Sequence, residues 1–134
     1  MKISKTREVK TPTRGTPYSA GIDFYVPEDH FPILVRPGAS AIIPSGIKAN
    51  VPSGYAFVAF NKSGIALKKS LMVGACVVDE DYQGEIHLHV INVGTQDQKI
   101  TPGEKLIQLL LVKVSYDDVE EIEEENLFST ISVR

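Results

Sequence analysis

The chain has one cysteine, no tryptophan and no large excess of charge of either sign. The single cysteine, Cys76, excludes an intramolecular disulfide and a multi-cysteine metal site within one chain, which favours a reducing compartment. A formal net charge of -3 provides no field that would hold a polyanion, so we expect no stable binding to nucleic acid. A phosphate-bearing ligand would therefore need a local site.

Long apolar runs are also absent. No stretch of the sequence approaches the length of a membrane-spanning helix, and the polar, basic residues 1–15 are followed by no apolar segment. We therefore expect no membrane association and a cytoplasmic protein, or a nuclear one if the source is eukaryotic or viral. The 134 residues allow one domain with a core large enough to fold alone.

Turn residues are frequent, with ten glycines and eight prolines, and the segments between them favour strands. Apolar and polar residues alternate from Glu85 to Asn92, which is typical of a half-buried strand. One short helix is predicted at Ser63–Lys69. Many short strands with such regular turn signals predict an antiparallel all-β barrel or sandwich of the jelly-roll type. The other predicted strands are Ile22–Val26, Ile33–Val35, Ala41–Pro44, Ile47–Val51, Tyr55–Phe60, Leu71–Val78 and Leu106–Val114.

The C-terminal third divides into two parts of different composition. Leu106–Val112 is apolar except for Gln108, which predicts burial on both faces, either inside the sandwich or against another subunit. Asp117–Asn126 is dominated by carboxylates that repel one another, which predicts an extended or mobile arm. We therefore predict a β-barrel domain over residues 1–116 and an acidic arm over residues 117–134.

The segment VVDEDYQGE concentrates residues that could perform chemistry. It contains Asp79 and two further carboxylates, followed by Tyr82 and the turn-forming Gly84. Hydrolysis of a phosphoanhydride needs a carboxylate to orient and deprotonate water, and an aromatic face could hold a sugar or base. An acidic β-turn with a packing tyrosine would have the same composition, so this segment alone leaves both interpretations open.

Three other positions could bind phosphate or a cation, and each also has a purely structural interpretation. Lys62, Ser63 and Gly64 open the predicted helix and could converge on phosphate, or form a solvated turn. The carboxamide of Gln108 must find partners in either backbone or ligand if it is buried. Asp23 could cap a turn or organise a hydrated cation.

The histidines do not form a recognisable metal motif. His87 and His89 share one strand face, but neither His30 nor any other residue is identifiable as a third ligand, so we predict no structural zinc. The sequence also lacks a Walker P-loop, a GxGxxG motif, a serine nucleophile elbow and a zinc-deaminase signature.

Four segments, taken in order and at suitable spacing, resemble the first four motifs of trimeric dUTPases, and together they span nearly the whole chain. They are SAGIDF at Ser19–Phe24, NKSGIA at Asn61–Ala66, VGACVVDEDYQGE at Val73–Glu85 and PGEKLIQLLL at Pro102–Leu111. The resemblance implies an all-β jelly roll or distorted β-barrel, assembled as a homotrimer with active sites at subunit boundaries. It also implies hydrolysis of dUTP to dUMP and pyrophosphate, which limits uracil incorporation into DNA and supplies dUMP for thymidylate synthesis.

The resemblance further assigns roles to residues by position. Asp79 is similar to the carboxylate that activates the attacking water, and Tyr82 to the ring that packs on deoxyribose and disfavours a 2′-hydroxyl. Asp23 is similar to an acid near a magnesium ion, and that Mg²⁺ is held mainly by the three phosphates and water, with no direct protein ligand. The complete set of expected substrate-binding residues is Lys62, Ser63, Gly64, Cys76, Val77, Val78, Tyr82, His87, Gln108 and Phe128.

Several positions depart from the family pattern. Lys62 and Lys105 stand where arginine is usual, and a lysine point charge cannot reproduce a bidentate fork. Cys76 replaces a usual glycine and Ile107 a usual alanine, which adds bulk in the base pocket and beside Gln108.

The fifth motif, a glycine-rich arm that closes over the nucleotide of another subunit, is nearly absent. Only Phe128-Ser129-Thr130 resembles it, and we expect Phe128 to approach the base or sugar of a nucleotide at a neighbouring interface. The missing glycines leave open a dUTPase-derived binding or regulatory protein with weak turnover. A dCTP deaminase is a poorer match, because His89 stands where that family carries its catalytic glutamate.

Overall fold

The computed structural model of the chain describes residues 1–75 and 77–129. These residues form an all-β fold with one α-helix, α1 (Ser63–Lys69), and a 3₁₀ turn at Glu124–Asn126. The strands are β1 (Ile3–Lys5), β2 (Thr13–Arg14), β3 (Ile22–Tyr25), β4 (Ile33–Val35), β5 (Ser40–Pro44), β6 (Ile47–Ala49), β7 (Tyr55–Phe60), β8 (Leu71–Val73), β9 (Val77–Val78), β10 (His87–Asn92), β11 (Gln98–Ile100) and β12 (Lys105–Lys113).

The strands pair antiparallel in four groups. The largest sheet has the order β2-β3-β12-β7-β9, a second has the order β5-β10-β8, and two ribbons are formed by β1 with β6 and by β4 with β11. Strand β12 lies between β3 and β7, so the last strand of the chain is inserted among the early ones. The predicted all-β, antiparallel class is therefore confirmed.

The core lies between the sheets and is built from alternating side chains. On β10, Leu88, Val90 and Asn92 are buried while His87 is exposed, which confirms the alternation predicted from the sequence. Phe24 and Phe57 meet edge to face in the core, with ring centroids 5.8 Å apart and an interplanar angle of 61°. Both rings are almost completely buried, so they link the central strands of the largest sheet.

The predicted strand Leu71–Val78 is broken, and that prediction was wrong at its centre. Strand β8 pairs with β10, whereas β9 pairs with β7 in the other sheet. The break falls at Gly74, where a Cβ atom would lie 2.1 Å from Nδ1 of His89. The Ala75 N–H donates to the same Nδ1 at 2.7 Å. The chain therefore changes sheets around an imidazole, which only a glycine permits here.

The boundaries of the helix and of the other strands differ less from the predicted ones. The helix Ser63–Lys69 and the strands β4 and β7 have their predicted limits, while β6 ends two residues earlier than predicted. Three strands were not predicted: β1, β2 and β11, which are two or three residues long. They carry little apolar alternation. The extended conformation of β1 and β11 depends on pairing with distant strands, and β2 pairs with the next strand, β3.

Strand β12 is buried along only part of its length. Leu106, Ile107 and Leu109 are buried, whereas Leu111 and Val112 are each 37% exposed. The prediction of burial on both faces is therefore confirmed for the first half of the strand in a single chain. The second half presents apolar side chains that this chain does not cover.

After β12 the chain follows an exposed course. Residues 115–123 have no regular secondary structure and are exposed, as the run of carboxylates predicts. The boundary proposed after residue 116 stays a prediction. Among residues 1–75 and 77–129, no helix has the length and apolar character needed to cross a membrane.

We predict that Phe57→Ala destabilises the fold by about 3–5 kcal/mol, because it removes a buried aromatic side chain and leaves a cavity beside Phe24. Urea unfolding at fixed protein concentration measures the change. The control is Val119→Ala, which removes atoms from a side chain that is 99% exposed and should change stability by less than about 0.5 kcal/mol. Equal stability of the two variants would contradict this account of the core.

Candidate active site

A cleft of about 240 Å³ opens beside the segment that joins β9 to β10. Its floor is apolar and belongs to the central strands β7 and β12, and its rim carries one carboxylate, one phenol ring and one imidazole. The lining residues are Ala59, Ala75, Val77, Val78, Asp79, Tyr82, Ile86, His87 and Leu109. The structure therefore brings together five residues predicted for the site: Val77, Val78, Asp79, Tyr82 and His87.

The turn Asp79–Glu85, which we call the acidic turn, holds Tyr82 against the cleft. The Tyr82 N–H donates to the Asp79 carbonyl at 3.1 Å, and the Tyr82 hydroxyl donates to the Glu85 carbonyl at 2.7 Å. A Cβ atom at Gly84 would lie 2.6 Å from the Tyr82 hydroxyl oxygen, so a glycine is needed beneath the ring. The ring is 42% exposed and its orientation is fixed at the rim.

Glu85 anchors the end of the acidic turn to the N-terminal ribbon. Its carboxylate accepts hydrogen bonds from Arg7 Nε at 2.8 Å and Arg7 Nη2 at 2.9 Å, from Thr6 Oγ1 at 2.8 Å and from the Gly46 N–H at 2.7 Å. The hydrogen bond from Arg7 is the main reason that the pKa of Glu85 falls to about 2, against the opposing effect of partial burial. The sequence offered no local signal for this contact, because the partners lie 39 to 79 residues away.

The histidines occupy two different settings. His87 lies on the rim of the cleft, while His89 accepts the Ala75 N–H and so fixes the bend between β8 and β9. Within the described part of the chain, no group of three or more His, Cys, Asp or Glu side chains is arranged to hold a metal ion. His89 is thus hydrogen-bonded to the backbone of Ala75, which lines the cleft.

A second cluster surrounds Asp23, which is buried within β3 and does not cap a turn. Lys62 Nζ lies 2.6 Å from Asp23 Oδ1, and Lys105 Nζ lies 3.7 Å from Asp23 Oδ2. The Gln108 Nε2 donates to the Asn61 carbonyl at 2.9 Å. Two ammonium groups against one carboxylate leave a local excess of positive charge, which suits an anion. We call this the lysine cluster.

The remaining residues of the predicted phosphate site are adjacent to this cluster. Ser63 and Gly64 begin α1 directly after Lys62, and both are exposed. A Cβ atom at Gly64 would meet no heavy atom within 4 Å in a single chain. At Gly21 the situation is opposite, because a Cβ atom there would lie 2.2 Å from Oε1 of Gln108. The Gln108 carboxamide therefore packs directly on the backbone at Gly21, the residue before β3.

The cleft and the lysine cluster lie on opposite faces of the largest sheet. Gln108 is paired with Asp23 and Phe60, and the next residue, Leu109, is paired with Ala59. Successive side chains on a strand point to opposite faces. Leu109 and Ala59 form part of the cleft floor, whereas Gln108 shares its face with Asp23. The two halves of the predicted site therefore face in different directions within one chain.

Phe128 is not among the residues that line the cleft or form the lysine cluster. Phe128 is 91% exposed and follows the 3₁₀ turn of the arm. Cys76, predicted in the base pocket, and Thr130, predicted in the arm, lie outside the described residues.

The antiparallel barrel and these two clusters define a candidate nucleotide-binding protein of the jelly-roll class. A family profile described as dUTPase matches residues 7–132. The deoxyuridine 5′-triphosphate nucleotidohydrolase of Mus musculus is 37% identical over 122 residues, which are 90% of this chain and 73% of the mouse protein. The protein of the same name from Corynebacterium jeikeium is 35% identical over 119 residues, covering 87% of this chain and 75% of its own. The chain belongs to the dUTPase family.

Solved structures agree in fold. The dUTPase from phage phi11 of S. aureus gives a TM-score of 0.84 at 20% identity, covering 95% of this chain and 98% of the phage protein. The EIAV dUTPase gives a TM-score of 0.75 at 26% identity, covering 91% of this chain and 95% of the EIAV protein. A mutant of the phi11 dUTPase gives a TM-score of 0.82 at 19% identity, covering 92% of this chain and 96% of the phage protein. That mutant structure is described as showing the coordination of a structural Mg(II) ion.

We predict that Glu85→Gln lowers the unfolding free energy at pH 7 by about 1 kcal/mol, a small value because Arg7 is 35% exposed and water screens the pair. The folded-state pKa of Glu85 is depressed from 4.5 to about 2. Its stabilisation is therefore complete above pH 4.5 and is lost as the pH falls toward 2. Urea unfolding should show a difference in stability between the wild type and the variant that shrinks as the pH falls from 5 toward 2. A difference that stays constant over this range would contradict the assignment.

Proposed function

We propose that the chain hydrolyses dUTP to dUMP and pyrophosphate, at a site where Asp79 activates water. The main observation that supports this proposal is the position of the Asp79 carboxylate, which lies at the rim of an apolar cleft and beside the fixed ring of Tyr82. Membership of the dUTPase family supports the substrate. The proposed partners are dUTP and further copies of the chain, in the cytoplasm or the nucleus.

The cleft suits the base and sugar of a nucleotide. Its volume of about 240 Å³ is below the roughly 300–1,000 Å³ of sites that enclose a whole drug-sized ligand, so the triphosphate must extend beyond it. Val77 and Val78 form one edge strand of the largest sheet. Among the described residues, no strand pairs with the outer side of this edge, so backbone N–H and C=O groups are available there. We propose that this edge pairs with the polar edge of uracil.

Tyr82 supplies the surface for the sugar. Its hydroxyl already donates a hydrogen bond to the Glu85 carbonyl, so the face of the ring is the part that remains for contact with a ligand. A ring held in this position can pack on deoxyribose and leave no space for a 2′-hydroxyl. We therefore propose that Tyr82 selects dUTP over UTP.

The lysine cluster supplies the phosphate contacts. Lys62 and Lys105 carry the positive charge, and the carboxamide of Gln108 uses one of its two N–H donors for the Asn61 carbonyl, which leaves the other for a phosphate oxygen. Ser63 and Gly64 are exposed beside them. We propose that these five residues bind the triphosphate.

Magnesium fits this arrangement as part of the nucleotide complex. The one buried carboxylate at the lysine cluster, Asp23, already has an ammonium group near each oxygen, so it does not offer a free ligand set for a bare cation. A Mg²⁺ held by phosphate oxygens and water, with Asp23 near its hydration shell, agrees with the observed charges. Such an ion would neutralise charge on the leaving pyrophosphate.

The proposed reaction is an in-line displacement at the α-phosphorus. Asp79 orients a water molecule and accepts its proton as the water oxygen bonds to phosphorus. The bond between the α-phosphorus and the bridging oxygen breaks, and pyrophosphate leaves with the electron pair. The lysine ammonium groups stabilise the charge that develops on the departing oxygens.

A complete site requires more than one chain, and we propose a homotrimer. The cleft and the lysine cluster face in different directions within one protomer, so one nucleotide can contact both only if a neighbouring copy supplies one of them. Leu111 and Val112 leave apolar surface on β12 uncovered, which suits burial against such a copy. Phe128 is exposed in the arm and would reach the nucleotide of a neighbour.

We predict that Asp79→Asn retains dUTP binding and loses about 10²–10⁴ in kcat, because the amide keeps the shape of the carboxylate but cannot accept the proton. Pyrophosphate release from dUTP, dCTP, dTTP and UTP measures turnover and selectivity, and calorimetry measures binding. Conversion of dCTP to dUTP would instead indicate a deaminase, and binding without any product would indicate a regulatory protein. Normal turnover by the variant would remove Asp79 from the proposed role.

We predict that light scattering at micromolar concentration gives three times the mass of one 14.7 kDa chain. The physical reason is the division of the site between two faces of the sheet. A monomer with full activity would contradict the shared site.

A further inference from the structure

The side chain of Glu80 is held outside the cleft, although it follows Asp79 directly. Its Oε1 accepts the Gly54 N–H at 2.8 Å and the Tyr116 hydroxyl at 2.6 Å. Asp79 lines the cleft and Glu80 does not. One oxygen atom therefore connects the acidic turn with two segments that are 26 and 36 residues away.

The same place is where β12 ends and the arm begins. The Val114 N–H donates to the Gly54 carbonyl at 2.9 Å, so the turn before β7 is bonded on one side to Glu80 and on the other to the residue after β12. Gly54 has a φ of +84°, a conformation that a glycine adopts without strain. Tyr116 lies two residues further along the chain, where the acidic arm starts.

The protonation states favour this contact over a broad pH range. The hydrogen bond from Tyr116, followed by that from Gly54, lowers the pKa of Glu80. The same bond to Glu80 raises the pKa of Tyr116 to about 12. Glu80 is therefore an ionised acceptor and Tyr116 a protonated donor at neutral pH.

We propose that Glu80 is a positioning residue for Asp79, and that the Glu80–Tyr116 hydrogen bond couples the acidic turn to the root of the C-terminal arm. The inference rests on the proposed dUTP hydrolysis. Val78, before Asp79, is paired with Phe57 in the sheet, and Glu80, after it, is bonded to Gly54 and Tyr116. The Asp79 carboxylate is therefore placed by the backbone between two anchored neighbours. Misplacement of a catalytic group by about 1 Å costs up to about 10²-fold in rate. A change in the course of the arm would reach Asp79 through Tyr116.

The test is Tyr116→Phe, which removes the hydroxyl alone from a side chain that is 64% exposed. We expect kcat on dUTP to fall about 5–20-fold, with KM changed less than about twofold, because partial loss of one anchor misplaces the base without removing a ligand contact. The matched control is Tyr18→Phe, the same chemical change on a ring that is 98% exposed, which should leave kcat unchanged. An unchanged kcat for Tyr116→Phe, or a parallel rise in KM and fall in melting temperature, would overturn the proposal.

A second series tests whether both residues act through the same bond. Glu80→Gln keeps an acceptor oxygen and should lose less activity than Glu80→Ala. The double variant Glu80→Ala, Tyr116→Phe should be no slower than Glu80→Ala alone, because the bond is already absent. If the fold-losses in kcat of the two single variants multiply in the double variant, the two residues act independently, and the coupling is overturned.

A measurement without turnover separates this inference from the proposed function. Hydrogen exchange of the Tyr82 amide, which is bonded to the Asp79 carbonyl, should be faster in Tyr116→Phe than in the wild type. Unchanged exchange would overturn the coupling even in an active enzyme. A wild type that releases no pyrophosphate from dUTP, yet shows this faster exchange, would refute the function and leave the mechanical link in place.

Discussion

The alternation of side chains along β12 is the constraint on which the site depends. Gln108 and Leu109 are adjacent in sequence and face opposite sides of the same sheet. One face carries the lysine cluster and the other forms the floor of the cleft beside Asp79. No rotation of a side chain can bring the two together, because the strand is fixed by partners on both sides. The proposed assembly with further copies would bring the two faces to one nucleotide.

The acidic turn shows how one carboxylate can stay available while its neighbours are used for anchoring. Glu80 and Glu85 use their carboxylates for anchoring, whereas Asp79, directly before Glu80, stays exposed at the rim of the cleft. Asp79, Glu80 and Glu85 have similar chemistry, and their positions on the turn leave Asp79 for the proposed role in activating water. The Tyr82 hydroxyl further stabilises the acidic turn by donating a hydrogen bond to the Glu85 carbonyl.

The sequence predicted features that depend on neighbouring residues. The alternation in β10, the helix Ser63–Lys69 and the grouping of Asp79 with Tyr82 are local patterns, and the structure has all of them. The break at Gly74 could not be predicted, because it depends on His89, which arrives from another strand.

The same limit applies to the site. The ordered motifs pointed to residues that the structure groups in the cleft and the lysine cluster. No local pattern marks the Arg7–Glu85 or Tyr116–Glu80 contacts, which join residues 78 and 36 positions apart. The strands β1 and β11 were not predicted for the same reason, since their partners are the distant strands β6 and β4.

Complementation between two defective variants tests the shared site most directly. Asp79→Asn disables the cleft half, and the double variant Lys62→Gln, Lys105→Gln disables the phosphate half while keeping amide donors for Asp23. Each variant alone should be nearly inactive on dUTP. Trimers formed by unfolding and refolding an equal mixture should regain about a quarter of the wild-type activity, because random assembly joins an intact cleft to an intact lysine cluster at about one interface in four. Failure of the mixed trimers to recover activity would contradict a site divided between neighbouring chains.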